Sequence, residues 1–152
     1  MITDTQWLMR AIVAELVQAG IADSVQAPNV LTYDDALAAL LEYPGTCIFA
    51  MPGAINISHD LEGGVPVRAS LTREVTLFIS AANPGQPGGD MDKANHMTDQ
   101  VLQVLTWHSL GQDGRIICKP RQASPLPLVW EDAPGRAVWS MTVDVTSLEN
   151  EF

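Results

Sequence analysis

The stretch "VRASLTREVTLFIS" (residues 67–80) decides the fold. In an extended chain Leu71, Arg73, Val75, Leu77 and Ile79 share one side, and Thr72, Glu74, Thr76, Phe78 and Ser80 share the other. β-Branched and aromatic residues fill the run, as suits a pleated, half-buried surface. One side is apolar and the other mostly polar. That pattern belongs to an antiparallel strand with a wet face, not to a strand buried inside a parallel sheet.

Upstream, "TCIFAM" (46–51) is a compact apolar run suited to a buried strand. "AINISH" (54–59) continues the sheet after a Pro52-Gly53 turn, and "HDLEGGVP" (59–66) reads as a polar, hairpin-like loop. Downstream, "MDKANHMTDQVLQVLTWHSLG" (91–111) is the longest helical pattern, with Asp90 as N-cap and Gly111 as its stop. Ala94, Met97, Val101, Val104, Leu105 and His108 track one side of it. "GRIICK" (114–119) is a strand, "PRQASPLP" (120–127) a proline-punctuated crossing, and "LVWED" (128–132) a further strand. The turn "APG" (133–135) leads into "RAVWSMTVDVTSL" (136–148), where Trp139, Met141, Val143 and Val145 alternate with polar residues.

Nearer the N-terminus, Thr3 or Asp4 caps a helix that Gly20 ends, with Leu8, Ile12 and Leu16 as its stripe. "SVQAPNV" (24–30) is a short strand or connector, because Pro28 excludes a helix there. Thr32 and Asp35 open a short helix over 33–43 that Pro44-Gly45 closes. The order predicts a single α+β domain over residues 1–152, an antiparallel-rich mixed sheet with helices packed on one face.

The chain has 152 residues, 47% of them hydrophobic, enough for a real core. Eighteen acidic residues against eight Lys and Arg give a formal net charge of -10. Nucleic-acid binding depends on neutralising phosphates, and an anionic membrane surface makes the same demand, so neither partner is expected. No apolar run reaches the roughly 20 residues that span a bilayer, and the N-terminus lacks the pattern of a secretory signal. Cys47 and Cys118 lie inside apolar runs and read as buried thiols; without a C-x-x-C there is no zinc or redox signature.

Chemistry finds little support. "NPGQPGGD" (83–90) resembles a phosphate loop only in its glycines. It lacks the lysine of a P-loop, Pro84 and Pro87 delete amide donors, and Asp90 and Asp92 would repel the phosphate. It reads as a stiffened connection from strand to helix. His96 and His108, on one helix, would stand roughly 120° apart around its axis and share no metal. "SHDLE" (58–62) is a solvated loop and no triad, since neighbours on an extended chain point to opposite sides. Asp34-Asp35, Glu131-Asp132 and Glu149 with Glu151 sit at turns, caps or the terminus, and Trp107, Trp130 and Trp139 read as core. No catalytic residue, cofactor or metal is expected.

The order of elements resembles that of small tail-completion proteins of long-tailed bacteriophages, the tail terminators and the similar minor tail proteins of Mu-like prophages. It runs from an N-terminal helix to "TCIFAMP", a polar loop, "ASLTREVTLFIS", the amphipathic helix "MDKANHMTDQVLQVLTWHSL" and a closing "AVWSMTVDV". Element order and strand character carry the resemblance. The segment "KPRQASPLPLVWEDAPG" and the helix at 33–43 depart from the plan.

The resemblance implies a non-enzymatic subunit that forms a ring, commonly a hexamer, capping the tail tube and preparing it for head joining. Its partners would be itself and other tail or head-completion proteins. It would work in the bacterial cytoplasm during assembly and reside in the virion tail. A ring needs two different patches on each subunit. Arg68, Arg73 and Glu74, charges that interrupt an apolar alternation, and Pro84, Gly85, Pro87 and Gly88 of the glycine-rich loop are the candidate interface residues. Two other readings are an accessory or binding module of a phage-like contractile or secretion apparatus, and a small enzyme with a pocket around His59, Asp60 or Glu62.

Overall fold

A computed structural model describes residues 4–28, 32–83, 90–111, 116–126 and 135–149. They form helices α1 (Thr5–Ala19), α2 (Tyr33–Leu41) and α3 (Met91–Leu105), and strands β1 (Ser24–Gln26), β2 (Cys47–Glu62), β3 (Val65–Ala82), β4 (Ser109–Leu110), β5 (Ile116–Pro125) and β6 (Arg136–Glu149). The six strands make one mixed sheet in the order β1-β2-β3-β6-β5-β4. All neighbours are antiparallel except β1 and β2. The fold is α+β, as the alternation in residues 67–80 predicts.

β3 and β6 are its spine. They pair without a register shift from Ala69↔Glu149 to Ala82↔Arg136. Their alternating side chains put Val75, Leu77, Ile79, Met141, Val143 and Val145 into the main core. α1 covers that core with Leu8, Met9, Ile12 and Leu16, and α3 with Ala94, Met97, Val101 and Leu105. Burying each Leu, Ile, Val or Met among them contributes about 1.5–3 kcal/mol. The opposite face carries a smaller cluster, in which Ala36 and Leu40 of α2 meet Cys47, Phe49, Met51, Phe78 and Val138.

Helices therefore cover one face along the spine, while α2 adds cover at one end of the other. The cause is the run Cys47 to Met51, which is buried on both sides and needs a cap on each. Tyr33 meets Phe78 edge to face, with ring centroids 5.9 Å apart.

The caps form where the sequence places them. The carboxylate of Asp4 accepts from Gln6 N, Thr32 Oγ1 accepts from Asp35 N, and Asp90 Oδ1 accepts from Lys93 N. Gly20 closes α1 at φ 68, and its N–H donates to Val17 O.

Four expectations are corrected. Pro52-Gly53 is a bulge inside a continuous β2, because pairing with β3 resumes at Ile55↔Arg73. Gly53 lies so close to Glu74 that a Cβ would stand 3.2 Å from Glu74 Cβ. The polar loop shrinks to Gly63-Gly64, at φ 60 and 82, with strand on both sides. Two positive φ values match the mirror-image turn of a two-residue hairpin, so "SHDLE" is strand, not loop. Finally, α3 stops at Leu105, and Trp107 takes φ 57. Its N–H donates to Cys118 O while Cys118 N donates to His108 O, drawing the chain onto the edge of β5. "PRQASP" (120–125) is mostly β5 rather than a crossing. The strand expected at 128–132 lies outside the described residues.

Candidate assembly surface

The charged positions expected on the sheet separate. Arg73 is only 6% exposed and donates from Nε to Thr5 Oγ1 (3.3 Å) at the start of α1. Its alternation with Leu71 and Val75 carries it under the helix layer, so the charge does not stand on open surface. Glu74 does face outward. Its Oε1 lies 3.1 Å from Arg121 Nη2, and Arg121 Nε lies 3.0 Å from Asp144 Oδ2. One guanidinium thus ties β3, β5 and β6 on the wet face, where Thr72 and Thr146 also meet at 3.3 Å. Arg121 occupies the β5 bulge, which turns its side chain toward both carboxylates. Arg68 belongs to β3, opposite Asp60, but its side chain lies outside the described residues. So do Pro84, Gly85, Pro87 and Gly88.

The edges of the sheet carry features the sequence reading missed. β1 pairs with β2 only at Cys47, Ile48 and Phe49. Beyond them, β2 is an open edge among the described residues. On this arm Ile55, Ile57 and Leu61 are 46%, 57% and 62% exposed. Beside the edge lies a cleft of about 650 Å³ lined by Asp4, Thr5, Gln6, Met9, Ala27, Pro28, Ala50 and Pro52. Asp4 is its one ionisable side chain among the described residues, and that carboxylate caps α1.

The far edge, at β4 and β5, presents Trp107 at 69% exposure, with Lys119 Nζ 5.1 Å from its ring centroid. Trp107 is therefore not core. Trp139 is half-buried and donates from Nε1 to Asn95 Oδ1 at 3.0 Å, and Trp130 lies outside the described residues.

The candidates for chemistry stay apart. His59 and Glu62 are exposed on the arm. His96 is exposed on α3, and His108 lies past the helix end. His108 Nε2 stands 3.1 Å from Glu15 Oε2, an ion-pair distance reached without hydrogen-bond alignment. No three His, Cys, Asp or Glu side chains among the described residues converge on a metal position. Both cysteines are free and buried. Burial pushes Cys47 up to about 11 and Cys118 up to about 12. Around Cys47, the Arg136 guanidinium opposes that rise and donates to Ser80 Oγ at 2.7 Å. Among the described residues no helix is long and apolar enough to cross a membrane.

No family model matches the chain, and no curated protein matches it. Among solved structures, it is similar to a chain of the structure titled "Virion of native gene transfer agent (GTA) particle". That likeness has a TM-score of 0.56 and 12% identity, and it covers 93% of this chain and 94% of the other. At this identity the likeness is one of fold.

Proposed function

We propose that the chain is a structural component of a phage-like particle, and that within it the chain acts as a tail terminator. In that role copies would form a ring, six in number, capping the tail tube and offering a surface for head joining. The observation that carries this reading is the shared fold with a virion chain over nearly the full length of both. The element order read from the sequence supports it independently. So does the open surface, which holds exposed apolar residues along the β2 edge and a threonine-lined face. The reading assigns the chain no chemical step.

Light scattering after size exclusion, at high protein concentration and physiological salt, tests the ring. The expected mass is six times the 16.4 kDa chain, with annular particles in negative stain. A species of single-chain mass throughout overturns the reading.

A further inference from the structure

The two long edges of the sheet are finished differently. On β5, Cys118 directs its N–H and C=O outward, to His108 and Trp107. Alternation makes Pro120 the next outward residue, and it has no N–H. Leu126 N donates inward to Val138 O, so Pro125 also faces out. Both prolines block strand addition at that edge. A partner there must be held by side chains, and those on offer are the exposed Trp107 and Lys119. At the opposite edge, β2 offers the apolar cleft beside Met9 and Pro52, the exposed Ile55, and the carboxylate of Asp4.

These two corners lie at the same level of the sheet. Ile55 pairs with Arg73, Arg73 with Val145, and Val145 with Cys118, whose backbone holds Trp107. Pro52 leads likewise through Val75 and Val143 to Pro120, next to Lys119. Four strand spacings of about 4.8 Å separate the corners across the sheet. A contact between two different corners is heterologous, and it closes a ring where the rotation it imposes divides a full turn.

We propose that the Trp107–Lys119 corner of one copy docks on the β2 edge of the next copy. The indole enters the cleft against Met9 and Pro52 and packs beside the exposed Ile55, and the Lys119 ammonium faces the Asp4 carboxylate. The occupant is a second copy because the cleft's apolar wall and single acid complement what the other edge exposes, one aromatic ring and one cation. This deepens the ring reading and rests on it.

Two substitutions break opposite halves of the contact. Trp107→Asp removes the corner, and aspartate accepts the positive φ at that position better than most residues. Ile55→Asp spoils the edge. Each side chain is exposed, so melting temperatures should match the wild type. Each variant alone should self-associate at least about tenfold more weakly and run as a single chain. Mixed in equal amounts, they should form a two-copy species, because one intact corner meets one intact edge and growth then stops. Asp4→Asn keeps the helix cap while deleting the charge. It should weaken assembly in wild-type protein and have no further effect in Lys119→Ala. Wild-type rings that survive either aspartate variant, or a mixture that stays single-chain, overturn the docking and leave the ring reading standing. A wild-type chain that never assembles overturns both.

Discussion

At the scale of the residue, Cys47 and Cys118 make a sharp statement about pH. Both side chains are fully buried, and desolvation raises each thiol from its ordinary 9.0, to about 11 for Cys47 and about 12 for Cys118. The charge of Glu15 adds to the rise at Cys118, whereas Arg136 opposes it at Cys47. Above pH 9 the unfolded chain releases protons that the folded chain keeps. The stability tied to these thiols is therefore whole below pH 9, and it is lost as pH rises toward about 11 and then about 12. The loss runs at about 1.4 kcal/mol per pH unit per thiol within its window. Melting temperature followed from pH 7 upward should bend down past pH 9, and Cys118→Ala should bend less. Equal slopes in the two proteins would remove burial of Cys118 as the cause. Below that window neither thiol should react with a thiol reagent until the chain unfolds.

At the scale of the element, the period-2 strand makes a paired prediction. Leu77 is fully buried in β3 beneath the helices, whereas Thr72 is half-buried on the wet face. Leu77→Ala should cost about 2–5 kcal/mol in urea unfolding, part of it from the cavity left behind. Thr72→Ala, which gives up the contact to Thr146, should cost about 1 kcal/mol or less; losses as large as that of Leu77→Ala would mean that the wet face is covered. This contrast was legible in the sequence, as were the caps at Asp4, Gly20, Thr32 and Asp90, because each depends on side chains within a few residues. What escaped depends on distant partners. Proline and glycine serve a turn and a bulge equally, and only the pairing across to Arg73 and Glu74 distinguishes them at Pro52-Gly53. The apolar stripe of α3 runs on to His108, yet the edge of β5 captures the backbone at Trp107 and ends the helix early. Of the candidate site, Glu74 was legible as outward-facing, while Arg73 follows its strand parity into the core. Ile55 and Ile57 were missed because alternation tells which face a residue takes and not which strand becomes an edge, and Trp107 was read as core because the helical pattern runs past the point where β5 captures the backbone.

At the scale of the whole molecule, a charge of -10 sets the conditions under which copies can meet. Two such chains with centres roughly 40 Å apart repel by about 10 kcal/mol in unscreened water. With a Debye length of about 30 Å at 0.01 M salt the repulsion falls to about 3 kcal/mol, and at about 8 Å, near 0.15 M, to below about 0.1 kcal/mol. The proposed Asp4–Lys119 contact, even if fully formed at a rim, adds only about 0.2–1 kcal/mol of attraction that salt would screen. Repulsion therefore dominates the electrostatics at low salt, and burial of Trp107 is left to drive the contact. Self-association should tighten by up to about 100-fold from 0.01 to 0.15 M salt and then level off, as the screened repulsion converts to affinity. Sedimentation velocity across that range checks it. Association that weakens steadily with added salt would mean that ion pairs, rather than an apolar corner in an apolar cleft, hold neighbouring copies together.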